Sequence, residues 1–291
     1  MDIESILEEY SLTDFAVGSG GCWNDAPMEC CERDITVFDG RDESDLVTEQ
    51  DGTIIRIHHG SLNEHHSSVL VQFCDLTILR DERWEIRTFM SKLRERRDIL
   101  FHDSTRDALL DAMFCTTRAR TGLASNDVLA PIWLKCAAFY LADAICLLHG
   151  KRPSPAHMLG ILRGLEDSST NEALELIHSC VGTRRATPTL LDRMARSAIG
   201  FSDLTEGNDH SRIIARKHEY MTGNRYLADC HFYLGYVCRN IMIMAGDAVQ
   251  SRPGLGHILK TAMDIEGSTA EHVERCGSLR NAASDILSRT T

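Results

Sequence analysis

The stretch FAVGSGGCWNDAPMECCERDITVFDG, residues 15–40, decides the fold of the first part of this 291-residue chain. An apolar run ends in Gly18-Ser19, a Gly-rich loop follows, and the acids Glu32 and Asp34 open a second apolar run. A Gly-rich turn after a strand can present backbone N–H groups to a phosphate. Carboxylates on alternate strand residues point to the same face. The stretch therefore predicts two strands, with a phosphate-binding turn after the first and a pair of carboxylates on the second.

Asp75 is a third acid in an apolar setting. It lies within VLVQFCDLTIL, residues 69–79, whose β-branched and apolar composition predicts the longest strand of the chain. A carboxylate in such a run is costly to bury unless it is paired or bound to a metal. One explanation of Asp75 in this run is structural, an ion pair with Arg56 or Arg80. The other is functional, a Mg²⁺ site shared with the two acids of the opening stretch, because Mg²⁺ prefers carboxylate and phosphate oxygens.

The periodicity of apolar residues changes near residue 103. Before it, short β-branched runs are framed by two helical patterns, MDIESILEEY and WEIRTFMSKLRERR. After it, apolar residues recur with helical spacing, as in residues 127–150, where Gly150 marks the end of a helix. The sequence therefore predicts an α+β protein, with a small mixed-sheet domain over residues 1–104 and an all-α helical bundle over residues 105–291.

The order of these motifs resembles the polymerase-β-like nucleotidyltransferases, and the helical half is similar to the bundle of small-molecule, kanamycin-type members. The motif-bearing part covers residues 2–104. The resemblance implies that Gly18 and Ser19 contact the β- and γ-phosphates of a nucleoside triphosphate such as ATP. It implies that Glu32 and Asp34 hold two Mg²⁺ ions. Asp75 would complete the metal site and polarise the attacking hydroxyl.

The acid pair departs from the family pattern. The first acid is Glu rather than Asp, Arg33 replaces an apolar residue, and the preceding loop is longer than usual. In an alternative register, Asp34 with Thr36, the metal site would be incomplete. The register of Glu32 with Asp34 is preferred because the apolar Ile35 then follows the second acid, as the pattern requires.

Two functions are compatible with this resemblance. The first is a Mg²⁺-dependent transfer of a nucleoside monophosphate to a hydroxyl of a small molecule or protein. The second is a catalytically inactive relative that binds a nucleotide or serves as a scaffold. A net charge of −12 opposes a nucleic-acid partner, and the helical half could form a homodimer.

Location and cysteine state follow from composition. No apolar run reaches the roughly 18 residues of a membrane span, and the acidic start MDIESILEEYSL is unlike a leader. We therefore expect a cytoplasmic protein without membrane contact. The eleven cysteines are irregularly spaced, which predicts buried reduced thiols rather than a disulfide framework.

Other polar residues leave alternatives open. The pairs His58-His59 and His65-His66 flank a predicted hairpin turn, and a doublet on a strand cannot easily bind one ion. Trp23 could stack on a base or cover the loop. In the helical half, two polar sets predict either a substrate cleft or contacts between helices: Tyr226, Asp229, Tyr233, Tyr236 and Asn240, and Lys135, Tyr140 and Asp143.

Overall fold

The computed structural model describes residues 3–22, 27–165, 168–207, 209–246, 249 and 252–290. The α+β prediction is confirmed, because a small mixed sheet near the N-terminus is followed by helices. The chain divides into two compact units, Met1–Phe101 and His102–Thr291. Trp23 of the first loop lies outside the described residues.

The first unit is built on a five-stranded sheet with the order β3-β4-β2-β1-β5. β2 and β4 are parallel, whereas the other neighbours are antiparallel. The strands are β1 (Val17–Gly20), β2 (Arg33–Val37), β3 (Leu46–Gln50), β4 (Thr53–His59) and β5 (Thr77–Arg80). The helices of this unit are α1 (Ile3–Glu9), α2 (Ser67–Phe73) and α3 (Glu85–Glu95).

The two faces of the sheet carry different residues. Buried residues of α1, of the segment after it and of alternate strand positions form one apolar core: Ile6, Leu7, Leu12, Val17, Ile35, Val37, Ile55 and Ile57. Strand alternation directs the intervening residues of β2 and β4 to the other face, among them Asp34 and His58. Phe38, just after β2, packs there in edge contacts with Phe73 of α2 and Phe89 of α3, at ring distances of 5.3 and 5.7 Å.

Two local predictions are wrong. Residues 69–79 do not form one strand, because α2 ends at Phe73 and β5 begins only at Thr77. Short apolar runs fit a buried helix as well as a strand, and periodicity alone does not distinguish them. The histidine pairs do not flank a hairpin either, since β4 ends at His59 and leads into α2.

The second unit is helical. Its helices are α4 (Arg97–Ala124, which begins before the boundary), α5 (Ala130–Leu148), α6 (Met158–Arg163), α7 (Ser168–Val181), α8 (Pro188–Thr205), α9 (His210–Gly223), α10 (Leu227–Ala245), α11 (Pro253–Ala262) and α12 (Thr269–Thr290). A short 3₁₀ turn, Thr183–Arg185, precedes α8. Within the described chain, α5 alone is long and apolar enough to cross a membrane, and 78% of its apolar window is buried inside the protein. A core helix meets the same criteria.

The polar residues of α5 and α10 make contacts between helices. Asp143 accepts hydrogen bonds from the Tyr236 hydroxyl and from Arg239 Nη1, both at 2.7 Å, in the buried interior. Lys135 Nζ donates to the carbonyls of Val181, Met263 and Asp264 at 2.7, 2.6 and 2.9 Å. These groups are used in packing, which favours the interhelical alternative.

The cysteine prediction is partly wrong. Cys22 and Cys31 form a disulfide that closes the loop between β1 and β2. The other nine cysteines are free and buried, as predicted. Two buried cysteines at the two ends of one short loop were close enough in sequence to pair.

Candidate functional site

The pairing of β1 with β2 places the Gly-Ser segment beside the predicted acids. Gly18 lies opposite Thr36, Ser19 opposite Ile35, and Gly20 opposite Asp34. Directly opposite residues share a face of the sheet. Asp34 therefore shares its face with the glycines of β1, whereas Ser19 shares the apolar face of Ile35. The structure brings together the glycines and one acid, but not the serine side chain.

Gly21 follows β1 and lies against Asp34. Its φ of +76° is in the left-handed region, and a Cβ there would lie 1.7 Å from Asp34 Oδ2. Glycine is the residue that fits this conformation and this close approach. The carboxylate of Asp34 therefore packs against the turn that was predicted to bind phosphate.

Asp34 belongs to a group of four titratable side chains on β2, on β4 and just before β3. His58 Nε2 lies 3.2 Å from Asp34 Oδ1, and His58 Nδ1 lies 3.0 Å from Asp45 Oδ1. Arg56 Nε donates to Asp45 Oδ2 at 2.9 Å. One imidazole thus joins two carboxylates, and a guanidinium holds the second. We call Asp34, Asp45, Arg56 and His58 the β2–β4 network.

The network keeps its histidine protonated to a higher pH than usual. Burial lowers the pKa of His58, as does the nearby Arg56, but hydrogen bonds with Asp34 and Asp45 outweigh both and raise it. Burial also opposes ionisation of Asp45, yet His58 and Arg56 hold the pKa of that carboxyl well below its usual range. Cations of the protein itself therefore balance the acids at this place.

The other two predicted acids lie in two different places. Glu32 precedes β2 and is only 6% exposed. Asp75 lies in the turn before β5. Arg97 donates hydrogen bonds to both of its carboxylate oxygens, at 2.9 and 3.2 Å. Since β1 separates β5 from β2, Asp75 and Asp34 are carried on elements about 10 Å apart, two strand spacings.

The acids in this arrangement do not fit paired metal ions. In a two-metal site the ions lie about 3.5–4 Å apart and share carboxylate ligands. Among the described residues, Glu32, Asp34 and Asp75 form no group whose oxygens all lie within 4.8 Å of one another. Asp34 is already bound by His58, and Asp75 by Arg97. The Mg²⁺ site stays a prediction that these contacts do not support.

Sequence reasoning did not name Asp45, and it named Arg56 only as a possible partner of Asp75 and His58 only as part of a histidine pair. Arg56 and His58 alternate with isoleucines in TIIRIHH, residues 53–59, and this alternation marks a polar strand face. Their nearness to Asp34 could not be read from the sequence, because it depends on the parallel pairing of β2 with β4.

Comparison with known proteins gives limited similarity. No protein-family model matches the sequence, and no curated protein matches it. The chain is similar to the crystal structure of a nucleotidyltransferase-like protein from Exiguobacterium sibiricum 255-15, with 12% identity and a TM-score of 0.33, over 95% of this chain and 87% of that one. A likeness at this level does not establish a shared activity.

Proposed function

We propose that this chain is a catalytically inactive nucleotidyltransferase-like protein, which acts as a binding or scaffold protein. The observation that carries the proposal is the contact between Asp34 and His58, at 3.2 Å. The carboxylate predicted to bind the metal contacts an imidazole of the neighbouring strand. A divalent ion at Oδ1 of Asp34 would have to displace that imidazole.

Electrostatics adds to this cost. The positive charge of Arg56 interacts with Asp45, Asp34 and Glu32. A metal ion placed among these acids would be repelled by the guanidinium, and like charges at short range disfavour each other strongly when they are partly buried. The site is therefore better suited to holding β2 and β4 together than to two-metal chemistry.

The second candidate is the Mg²⁺-dependent nucleotidyltransferase itself. It is favoured by one observation: Gly18 and Gly20 share a sheet face with Asp34, next to the buried Glu32. In that case the turn after β1 would bind the triphosphate and the two acids would hold Mg²⁺, which would supply charge stabilisation for the transfer. The acceptor would be a hydroxyl of a small molecule or protein.

Calorimetry separates the two candidates. ATP and GTP are titrated with and without Mg²⁺ into the wild type, Asp34→Asn and an exposed control, Asp42→Asn. Pyrophosphate release is followed in parallel. The proposal expects no Mg²⁺-dependent binding and no release in any of the three proteins.

Mg²⁺-dependent binding that Asp34→Asn removes and Asp42→Asn keeps would overturn the proposal. It would establish the enzyme as the better description, and pyrophosphate release would then identify productive acceptors. A nucleotide affinity that is the same with and without Mg²⁺, and the same in the wild type and Asp34→Asn, would instead support a binding protein.

A further inference from the structure

A cavity of about 660 Å³ lies beside the first turns of α8 in the helical unit. Arg185, Arg193 and Arg196 line it, together with hydroxyl-bearing residues of the same segment. Its volume falls in the range of small-molecule sites, about 300–1,000 Å³. Three guanidinium groups around one cavity are notable in a chain whose net charge is −12.

Two of the arginines contact acids that do not line the cavity. Arg185 contacts Glu266 at 2.6 Å and Asp264 at 3.4 Å. Arg193 lies 3.8 Å from the same Asp264, which is buried. The shorter contacts of Arg185 limit the motion of its side chain, so that less side-chain entropy is lost when a ligand binds. Arg193 is 59% exposed and its contact is long, so it stays more mobile.

Arg196 has no ion-pair partner among the residues that the structure describes. It lies one helical turn from Arg193, and like charges at this spacing repel each other unless an anion lies between them. Asp192 also lines the cavity, and its Oδ1 lies 3.2 Å from Nε2 of His218. Three carboxylates, Asp192, Asp264 and Glu266, lie in or beside the cavity together with its three guanidiniums. Of these guanidiniums, Arg196 forms an ion pair with none of the three acids within the described chain.

The hydroxyl groups add neutral donors. Thr189 and Ser197 line the cavity along α8, and Thr187 caps the helix by accepting a hydrogen bond from the Leu190 amide at 3.3 Å. Guanidinium groups bind phosphate oxygens through paired hydrogen bonds, and hydroxyls donate to the remaining ones. This combination matches a phosphate group better than an apolar ligand.

We propose that this cavity is a binding site for a small phosphorylated molecule, whose phosphate or diphosphate group contacts Arg193 and Arg196. The site lies wholly in the helical unit and does not depend on the function proposed for the β2–β4 network. Because the cavity is larger than a phosphate ion, the rest of the ligand also occupies it.

Calorimetry with inorganic pyrophosphate tests the site in the full chain. The variants are Arg196→Gln, Arg196→Lys, the double variant Arg193→Gln/Arg196→Gln, and Arg280→Gln as an exposed control on α12. Loss of a charged hydrogen bond should weaken binding at least tenfold in Arg196→Gln, with a larger loss in the double variant. Arg196→Lys keeps the charge but loses the paired geometry, so its affinity should be intermediate. Binding should also weaken as salt rises.

Three further measurements decide the outcome. Asp34→Asn removes a negative charge beside the Gly-rich turn of the first unit, so an affinity equal to that of the wild type places the ion outside that turn. Circular dichroism of each variant confirms that the helices are intact. Pyrophosphate binding that the double variant retains, no binding by the wild type, or equal affinity for citrate would each overturn the proposal.

Discussion

At the scale of single residues, His231 shows how burial sets a protonation state. It is 1% exposed, and burial is the main reason that its pKa is lowered; the charges of Lys135 and Arg185 act in the same direction. Its contact with Asp264, 3.4 Å from Nε2, only partly offsets these effects. His231 is therefore neutral in the folded protein near neutral pH.

This protonation state predicts a pH dependence of stability. As pH falls below about 6.5, the ordinary value for histidine, the unfolded chain takes up a proton that folded His231 does not. The free energy of unfolding therefore decreases until the lower folded pKa is reached. Urea unfolding between pH 7.5 and 5 should show a steeper loss in the wild type than in His231→Gln.

His257→Gln, an exposed histidine on α11, is the control for this experiment. It should follow the wild-type slope. Asp264 loses its contribution as pH falls from about 3.8, the ordinary aspartate value, to its own lower pKa, so its titration lies below the pH range of this experiment. Equal slopes for the wild type and His231→Gln would contradict the assignment.

At the scale of elements, the contact between α5 and α10 depends on a missing side chain. A Cβ at Gly235 would lie 2.8 Å from Phe139 Cζ, which also packs edge-on against Phe232 with ring centroids 5.0 Å apart. Gly235→Ala should therefore destabilise the protein by about 1–3 kcal/mol, the usual cost of overpacking a core. The measurement is the free energy of unfolding in urea.

Gly200→Ala provides the matched comparison. Gly200 lies inside α8, and nothing lies within 4 Å of its added Cβ. Alanine there should stabilise the protein by roughly 0.5–1 kcal/mol through helix propensity. If both variants lost the same stability, the close contact with Phe139 would not be the cause.

Elements with a strong local signal could be predicted, and those with a weak one could not. The apolar stripe of α5 and the stop at Gly150, whose φ is +65°, were evident from the sequence. β3 was missed although Asp51-Gly52, both with positive φ, joins it to β4, and Asp-Gly is a strong hairpin signal. α2 was mistaken for a strand because its seven residues include two valines and a phenylalanine.

At the scale of the whole molecule, the number of reduced thiols can be measured. Eleven cysteines are present, of which nine are free and two form the Cys22–Cys31 disulfide. Thiol titration in guanidinium should detect nine groups without reductant and eleven after reduction. Native protein should react slowly, since all nine free cysteines are buried. Eleven thiols without reductant would contradict the disulfide.

The candidate site could be predicted only where it depends on neighbouring strands. Gly20 and Asp34 lie opposite each other because β1 and β2 follow each other and pair directly. The relation of Asp75 to Asp34 depends on which edge β5 joins, and that of His58 on the parallel pairing of β4. Such long-range choices leave no pattern in a single sequence, so the sequence does not reveal that β1 lies between β2, which carries Asp34, and β5, which follows Asp75.

The hydrogen bonds of Lys135 restrict which residues could replace it. Its ammonium group, whose pKa burial lowers to about 8, satisfies three carbonyls that converge from the ends of two helical segments. Three donors spreading from one nitrogen match that arrangement, whereas the donors of arginine lie in a plane. Even the exchange of lysine for arginine, harmless at most surfaces, would therefore leave helix ends without a donor here.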